Sequence, residues 1–230
     1  DTLLEHQTKG RIHAEVHQLR SERGGTLTGR MSYSNPNLQQ VPARNKEIGP
    51  LIRSLFIPEE GCVWGAFDYS QQEPRLVVHY ASKLKYTSVD TVVDSYKNDE
   101  ADFHQVVADM ANIPRTHAKL INLGLFYGMG KKKLSEQLGL SWEESDALFN
   151  KYHSEVPFVR QLANYCAQRA SEVGFIKTIG GRRCRFTMWE PDSKGYNKPM
   201  PFDQAMKEYG KHMGLKRAFT YKALNRLIQG

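Results

Sequence analysis

The sequence predicts a helix-rich α+β fold, and three observations lead to this prediction. The first 50 residues are rich in turn formers and include the alternating stretch RIHAEVHQL, which is typical of short strands between loops. From Gln71 to about Ala223, apolar residues recur mainly at helical spacing. Within that region, GFIKTIGGRRCRF predicts a β-hairpin that turns at Gly180 and Gly181.

Composition limits the classes of protein that the chain can represent. Its 230 residues are 40% apolar, enough for one large domain or two small ones. No apolar run approaches the ~18 residues of a membrane span, and the first residues are too charged for a signal peptide. A net charge of +7 suits a polyanionic partner such as nucleic acid, although many basic proteins bind none.

The cysteines and the local patterns predict further features in chain order. Cys62, Cys166 and Cys184 lie far apart without metal-ligand spacing, which favours free thiols in a reducing compartment. LIRSLFIPEEG and CVWGAFDY predict a pair of strands joined by a Pro-Glu-Glu-Gly turn. Helices are predicted to begin at Ser70, near Pro114, near Ser141 and at Pro157, the last one running to about Gly174. The segment 201–230 is predicted to be helical to the final residue, which we interpret as a cut within a helical pattern.

A carboxylate is predicted to end the apolar run 63–67. Asp68 falls at that strand end, and Ser70 followed by Glu73 has the form of a capping box for the next helix. One interpretation is purely structural, with Asp68 turning the chain and Glu73 closing the box. The other is a binding site, because hard cations and phosphates are bound at the carboxyl ends of strands beside helix starts.

The segment PRTHAKLINLGLFYGMG predicts a helix that begins at Pro114 and ends at Gly128 and Gly130. One stripe of this helix carries two cations, an apolar residue and an aromatic ring at four-residue steps: Arg115, Lys119, Leu123 and Tyr127. Such a stripe could clamp phosphates beside a stacking surface, or it could be the ordinary face of an amphipathic helix. Gly124 costs ~1 kcal/mol in a helix interior unless something must approach it closely.

Five segments, taken together, resemble the family A DNA polymerases, the bacterial DNA polymerase I type that also occurs in phages and organelles. DYSQQEPR matches the family pattern D-Y-S-x-x-E-x-R, and RTHAKLINLGLFYG matches R-x3-K-x7-Y-G. TGRMSYSNPNLQQVP is similar to the family's primer-template segment, and GGRRCRF and ALNRLIQG resemble later segments. The similarity covers nearly the whole chain in order. It implies part of a right-hand polymerase, with part of an antiparallel palm sheet and an α-helical fingers domain.

The resemblance has two departures. Leu123 stands where the family usually has Phe or Tyr, so the usual sugar discrimination at this position is not carried over. The family's third motif, His-Asp-Glu, should follow LIQG, and no His-Asp pair occurs in these 230 residues. We therefore expect an incomplete polymerase domain, without the thumb and the 3′–5′ exonuclease, that adds no nucleotides alone.

The resemblance implies roles for the residues of the two main motifs. Asp68 and the backbone carbonyl of Tyr69 would bind Mg²⁺, of which the complete enzyme uses two. Arg115 and Lys119 would hold the incoming triphosphate, and Lys119 could protonate the pyrophosphate leaving group. The other nucleotide contacts implied are His104 at the triphosphate, Leu123 near the sugar, and Tyr127 stacking near the templating base.

Glu73 would act as the steric gate that excludes a ribose 2′-OH. The residues implied in reading minor-groove acceptors, which all base pairs share, are Arg30, Asn37, Gln39, Gln40, Asn225 and Gln229. An alternative for these amides is ordinary turn formation. Arg182 and Arg183 are either structural or phosphate contacts.

The implied division is palm for 1–82, fingers for 83–200, and a helix returning to the palm for 201–230. The implied partners are primer-template DNA, dNTPs and a remaining segment with the His-Asp-Glu motif. We expect an intracellular protein with no membrane partner. Two other functions remain open: a single-subunit RNA polymerase, against which Glu73 argues, and a non-catalytic nucleic-acid-binding fragment that needs a second segment.

Overall fold

The computed structural model describes residues 3–21, 24–42, 45–98, 102–126, 129–193 and 197–230. The chain divides into two compact units, Asp1–Ser70 and Gln71–Gly230. The boundary falls inside DYSQQEPR, so that Asp68 and Glu73 belong to different units. The helix-rich α+β class predicted from the sequence is confirmed. The functional division at 82 and 200 is not tested by these units and stays a prediction.

The first unit consists of short hairpins and one short helix. Strands β1 (Gln7–Thr8) and β2 (Arg11–Ile12) pair antiparallel, as do β3 (Glu15–His17) and β4 (Ser32–Ser34). Two of these strands, β2 and β3, lie within RIHAEVHQL, where the alternating pattern predicted short strands. Helix α1 (Ile48–Arg53) follows.

The predicted strand pair over 51–69 is wrong. Part of its first half is helical in α1, and residues 62–69 form neither helix nor strand. Their side chains are exposed, including Val63 at 91% and Phe67 at 98%. An apolar run becomes a strand only when a neighbour takes its backbone N–H and C=O groups, and the described part of this unit offers it none. Asp68 therefore does not end a strand in this structure.

The second unit is mainly helical, and the predicted helix starts near Pro114, Ser141 and Pro157 are confirmed. Its first helices are α2 (Gln72–Lys83), α3 (Asp90–Lys97), α4 (Phe103–Ala111), α5 (Arg115–Phe126), α6 (Lys131–Leu138), α7 (Trp142–Glu155) and α8 (Pro157–Val173). Ser141 caps α7 in a capping box with Glu144. Gly174 ends α8 in the left-handed conformation. The last described residue of α5 is Phe126, and Gly130 is the N-cap of α6.

The start of α2 differs from the prediction. The N-cap is Gln71, in the left-handed conformation at φ 54°, and the Gln71 side chain makes no capping hydrogen bond. The capping box predicted from Ser70 to Glu73 stays a prediction. The side chains of Gln71 and Glu73 also bond to distant parts of the second unit, which gives both residues partners that a local pattern does not predict.

The C-terminal part combines strands and helices. The predicted hairpin is confirmed as β5 (Phe175–Lys177) paired with β6 (Arg183–Arg185). The uninterrupted helix predicted over 201–230 is wrong. The chain instead forms β8 (Met200–Pro201), α9 (Phe202–Glu208), β9 (Leu215–Arg217) and α10 (Ala223–Gln229). Both β8 and β9 pair with β7 (Met188–Pro191), a distant strand that a local helical pattern cannot reveal.

Helix α8 organises the core of the second unit. It packs against α2, α5, α7 and α10. Its fully buried face is Phe158, Val159, Leu162, Cys166 and Ala170. This core holds the N-terminal end of α2 and the helices α4 and α5 in one body. Among the described residues, no helix is long and apolar enough to cross a membrane. The three cysteines are free, as predicted.

Candidate nucleotide-binding site

The site in the second unit is built where the N-terminal ends of α2 and α4 meet. The Gln71 side chain joins them, because its Oε1 accepts a hydrogen bond from the Phe103 backbone N–H at 2.9 Å and another from the Tyr96 hydroxyl at 3.4 Å. Arg75 of α2 stacks on the Tyr96 ring, 4.6 Å from its centroid. The Gln71 side chain therefore holds the N-terminal ends of α2 and α4 next to each other.

Asp102 links the start of α4 to α5. Its Oδ1 accepts hydrogen bonds from the backbone N–H groups of His104 and Gln105, which caps α4. Its Oδ2 accepts from Arg115 Nε at 2.7 Å and pairs with Nη2 at 2.5 Å. Burial alone would raise the pKa of Asp102, but the Arg115 and backbone hydrogen bonds outweigh it and hold that pKa below its ordinary value. Asp102 is therefore the anchor that fixes the position of the Arg115 guanidinium.

Lys119 lies one helical turn beyond Arg115 on α5. Its side chain is exposed and makes no ion pair within the described ranges. Arg115 and Lys119 both lower the pKa of His104, after the larger effect of burial, whereas Asp102 raises it. Arg115, Lys119 and His104 therefore share one region. Their role as a phosphate clamp stays a prediction.

His104 is held by a buried polar chain. Asn122 Nδ2 lies 3.1 Å from His104 Nδ1, and the Tyr152 hydroxyl donates to Asn122 Oδ1. Asn122 and Tyr152 are both fully buried, and they come from α5 and α7. The position of His104 on α4 thus depends on residues of both α5 and α7.

The remainder of the α5 stripe is partly described. Leu123 is half-buried. Tyr127, predicted to stack near the templating base, lies outside the described residues. A Cβ built at Gly124 would lie 3.2 Å from Met129 Sδ and 3.3 Å from Met129 Cβ. The close approach that would justify a glycine in this helix is therefore supplied by Met129.

Glu73 and Gln229 meet at the other side of α2. Gln229 Nε2, near the end of α10, donates to Glu73 Oε1 at 3.1 Å, and both side chains are half-buried. Asn225, one turn earlier on α10, has a buried Nδ2 with no hydrogen-bond partner among the described residues. The predicted sugar gate and two predicted minor-groove readers therefore lie on adjoining helices.

The predicted metal ligands lie in the first unit. Asp68 and Tyr69 are exposed, and they occupy a segment without regular structure. A carboxylate and a backbone carbonyl are the hard oxygen donors that Mg²⁺ prefers, so the donor type fits. The set is incomplete, because the described residues contain no cluster of three His, Cys, Asp or Glu side chains. Mg²⁺ bound here would need further oxygen ligands.

The predicted DNA contacts of the first unit are surface residues, of which two have local structural roles. Asn37 caps a short 3₁₀ turn, where its Oδ1 accepts from the Gln39 backbone N–H at 3.1 Å. Gln39 Nε2 donates to the Met31 carbonyl at 3.3 Å. Arg30 and Gln40 are exposed. The turn-forming role that the sequence left open is thus observed for Asn37, and DNA contact stays a prediction for all four.

The two arginines that the sequence left undecided are both exposed. Arg183 stacks on the Phe175 ring across the hairpin, 5.2 Å from its centroid. This contact gives Arg183 a structural role. Arg182 retains both interpretations.

Four residues of the site were assigned no binding or positioning role from the sequence: Gln71, Asp102, Asn122 and Tyr152. Asp102 carried a usable signal, since an aspartate directly before an apolar helical pattern is a preferred N-cap. Asn122 carried a weaker one, as a polar residue between apolar neighbours Ile121 and Leu123. Tyr152 resembles any core aromatic, so its hydroxyl partner could not be predicted.

Known proteins share sequence with this chain over its whole length. The sequence profile of DNA polymerase family A matches residues 1–230. A DNA-directed DNA polymerase of Pseudomonas phage M6 is 37% identical, and the match covers all of this chain and 38% of that protein. DNA polymerase I of Pseudomonas aeruginosa is 36% identical over 76% of this chain and 19% of its own length.

A solved structure extends the comparison to the fold. The polymerase domain of Pol1 from M. smegmatis, in a complex with DNA primer-template and dNTP, superposes with a TM-score of 0.71 at 29% identity. The match covers all of this chain and 37% of that one. The chain thus spans well under half the length of the relatives named here. Because the profile covers every residue and the fold agrees, the chain belongs to DNA polymerase family A.

Proposed function

We propose that the second unit binds the triphosphate of an incoming dNTP, and that the chain thereby contributes to template-directed DNA synthesis. One observation carries the proposal: His104 and Lys119 lie in one region with Arg115, and Asp102 fixes the guanidinium there. A guanidinium, an ammonium and an imidazole suit a polyphosphate, because charge-assisted hydrogen bonds to phosphate oxygens are strong and directional.

The proposed reaction is nucleotidyl transfer from the dNTP to a primer 3′-OH. Catalysis of phosphoryl transfer consists mainly of positioning and charge stabilisation, which is what Arg115 and Lys119 would provide. Lys119, as the exposed ammonium of the pair, would also hold a proton for the pyrophosphate that leaves. The names of the relatives and the bound DNA and dNTP of the M. smegmatis structure support this assignment.

Mg²⁺ is the proposed metal, and Asp68 with the Tyr69 carbonyl would bind it. When bound, Mg²⁺ supplies neutralisation of charge on phosphate oxygens. Asp68 would supply one carboxylate oxygen to Mg²⁺. The described residues contain no cluster of three His, Cys, Asp or Glu side chains, so the remaining ligands would have to be other groups.

We further propose that Glu73 selects deoxyribonucleotides and that Gln229 and Asn225 face the minor groove of the primer-template. The contact between Glu73 and Gln229 supports this, because it holds a carboxylate in place on the first turn of α2. An RNA polymerase would need this position open to a 2′-OH. In the first unit, Arg30, Asn37, Gln39 and Gln40 are the proposed DNA contacts, and the palm and fingers division at 82 and 200 belongs to the same proposal. Template DNA and dNTPs are found inside cells, so the proposal implies an intracellular location.

The test is formation of a ternary complex, which does not require chemistry. The 230-residue chain is mixed with Mg²⁺, a primer-template whose primer ends in a dideoxynucleotide, and a photoreactive dATP analogue, and adducts are mapped by mass spectrometry. We expect adducts within residues 102–126. We also expect unlabelled dATP and pyrophosphate to compete, and a templating dT to increase the yield over a templating dC.

The contrary outcomes separate the parts of the proposal. Adducts that dATP and pyrophosphate do not reduce would contradict a triphosphate site on α4 and α5. If dATP and pyrophosphate reduce the adducts but the yield does not depend on the templating base, the nucleotide site is supported and template-directed selection is contradicted. The matched control is Lys207→Ala on α9, an exposed lysine outside the site, which should leave the yield unchanged.

A further inference from the structure

A continuous chain of hydrogen bonds runs from the core of the second unit to His104. Tyr152 of α7, Asn122 of α5 and His104 of α4 are its members. The first two are fully buried, whereas His104 is half-buried and reaches the region that Arg115 and Lys119 share. These hydrogen bonds therefore connect Tyr152, which no ligand can reach, to His104, which can contact a ligand.

The directions of the hydrogen bonds follow from what each group can donate. The Tyr152 hydroxyl is buried and must place its proton on an acceptor, and Asn122 Oδ1 is the acceptor observed. The amide of Asn122 then turns Nδ2 toward His104, and an NH₂ group can only donate. His104 Nδ1 must therefore accept, so it carries a lone pair and no proton.

The opposite orientation of the amide is unfavourable. With Asn122 rotated, Oδ1 would face His104 and Nδ2 would face the Tyr152 oxygen. The hydroxyl proton of Tyr152 would then lose the acceptor that the described residues offer it. A buried polar group without a partner costs about 1–3 kcal/mol, which is enough to select one orientation.

The surroundings of His104 favour a neutral ring. Burial lowers the pKa of His104, the nearby Asp102 carboxylate raises it, and Arg115 and Lys119 lower it again. The net direction is downward, because burial is the largest of these effects. A neutral ring with an unprotonated Nδ1 has its only proton on Nε2.

We propose that Tyr152, acting through Asn122, is a positioning residue that fixes His104 as the neutral Nε2–H tautomer, so that Nε2–H donates a hydrogen bond to a phosphate oxygen of the bound nucleotide. The identity of the acceptor rests on the proposed function, whereas the tautomer does not. The arrangement supplies a third donor beside Arg115 and Lys119 without a third full positive charge. It also keeps Nε2 protonated at neutral pH, where a free histidine would exchange between tautomers.

The tautomer can be measured directly in the 230-residue chain without nucleotide. Two-bond ¹H–¹⁵N correlation spectra at neutral pH distinguish a protonated ring nitrogen from an unprotonated one, and the signals of His104 are identified by their loss in His104→Gln. We expect an unprotonated Nδ1 and a protonated Nε2. A protonated Nδ1 in the folded chain would overturn the proposal, whatever the nucleotide measurements show.

Two variants test whether the hydrogen bonds from Tyr152 and Asn122 determine the tautomer of His104. Asn122→Asp places a carboxylate against Nδ1, and it should move the proton from Nε2 to Nδ1 and raise the pKa of His104. Tyr152→Phe removes the donor that orients Asn122, and it should leave His104 as a mixture of both tautomers. If neither variant changes the tautomer while the far-ultraviolet circular dichroism remains that of the wild type, Tyr152 and Asn122 are not positioning residues.

The functional consequence has its own readout. Tyr152→Phe should weaken dATP binding by about twofold, because a mixture of tautomers leaves about half of the molecules with the Nε2–H donor. Tyr221→Phe is the matched control, since Tyr221 is 58% exposed and is not one of the proposed site residues. An altered tautomer with unchanged dATP affinity would overturn the phosphate contact. Failure of the wild type to bind dATP would instead contradict the proposed function and leave the tautomer result intact.

Discussion

Gln229 donates a hydrogen bond from Nε2 to Glu73 Oε1 at 3.1 Å, across 156 residues of sequence. This contact joins the last turn of α10 to the first turn of α2. It also joins a predicted reader of the minor groove to the predicted gate for the sugar. A carboxylate that accepts a fixed hydrogen bond has fewer rotamers available, so Gln229 helps to fix the position of the Glu73 carboxylate, which is the proposed sugar gate.

Gln229→Ala should therefore reduce discrimination between dATP and ATP. We expect the affinity ratio to fall by roughly two- to tenfold, which corresponds to the ~0.5–1.5 kcal/mol net contribution of one hydrogen bond. The ratio is measured by equilibrium binding of each nucleotide to the 230-residue chain with Mg²⁺. Gln168→Ala is the control, because Gln168 is an exposed glutamine that bonds to Glu172 on α8.

A double variant shows whether Gln229 acts through Glu73. If it does, Glu73→Ala by itself should abolish the discrimination between dATP and ATP. Adding Gln229→Ala should then change the affinity ratio no further. An additional drop in the double variant would mean that Gln229 selects the sugar independently of Glu73.

Local patterns predicted the elements whose determinants lie within a few residues. Ser141 marked the start of α7, Pro157 and Gly174 marked the ends of α8, and two glycines marked the turn between β5 and β6. The cationic stripe of α5 was also readable, because a helix places Arg115 and Lys119 on one face.

The errors arose where distant residues decide the structure. The segment 62–69 has strand-like composition, but a strand needs a pairing partner, and composition cannot show whether one is present. The pairing of Trp189 with Arg217 interrupts what reads as one helix over 201–230. The partners of Glu73 and Arg115 were not predicted, since Gln229 and Asp102 become neighbours only through the packing of whole helices.

Lys119→Ala should weaken dATP binding much more than duplex DNA binding. Loss of one charge-assisted hydrogen bond to a phosphate corresponds to about 1.5–3 kcal/mol, or roughly ten- to a hundredfold in affinity. The measurement is the pair of dissociation constants, for dATP and for a primer-template, at one fixed salt concentration. Lys207→Ala controls for the change in net charge. A variant that loses duplex affinity but keeps its dATP affinity would contradict the triphosphate assignment.

Asp102→Asn should destabilise the chain at neutral pH and have less effect in acid. Asparagine still caps α4, so the loss is mainly the partly exposed pair with Arg115, at about 1 kcal/mol or less. The folded-state pKa of Asp102 lies below its unfolded value of ~3.9, so the wild type has the full contribution above that value. The contribution is lost as the pH falls through the folded-state pKa.

Urea unfolding of the wild type and Asp102→Asn from pH 7 downward measures this difference. We expect a constant gap in the free energy of unfolding from pH 7 to about 5 and a narrowing gap below ~4. The control is Asp94→Asn, which breaks an exposed pair with Lys97 within α3. A gap that widens in acid would show that the pairing with Arg115 does not stabilise the ionised carboxylate.

Gly124→Ala should destabilise the chain even though alanine is the better helix former. Helix propensity favours alanine by ~1 kcal/mol, but the new Cβ would lie 3.2 Å from Met129 Sδ and 3.3 Å from Met129 Cβ. Overpacking of this kind costs about 1–3 kcal/mol. The hydrogen bond from the Met129 N–H to the Gly124 carbonyl, at 2.7 Å, limits how far Met129 can withdraw. We therefore expect a net loss, measured as the free energy of unfolding in urea.

The cause can be separated by repeating the change in a Met129→Ala background. That background removes Sδ and keeps Cβ, so Gly124→Ala should cost less there, with a coupling energy of about 0.5–1.5 kcal/mol. Equal costs in both backgrounds would mean that the Met129 side chain does not exclude a Cβ at this position. The glycine would then be required for another reason, such as the close approach of a bound molecule to α5.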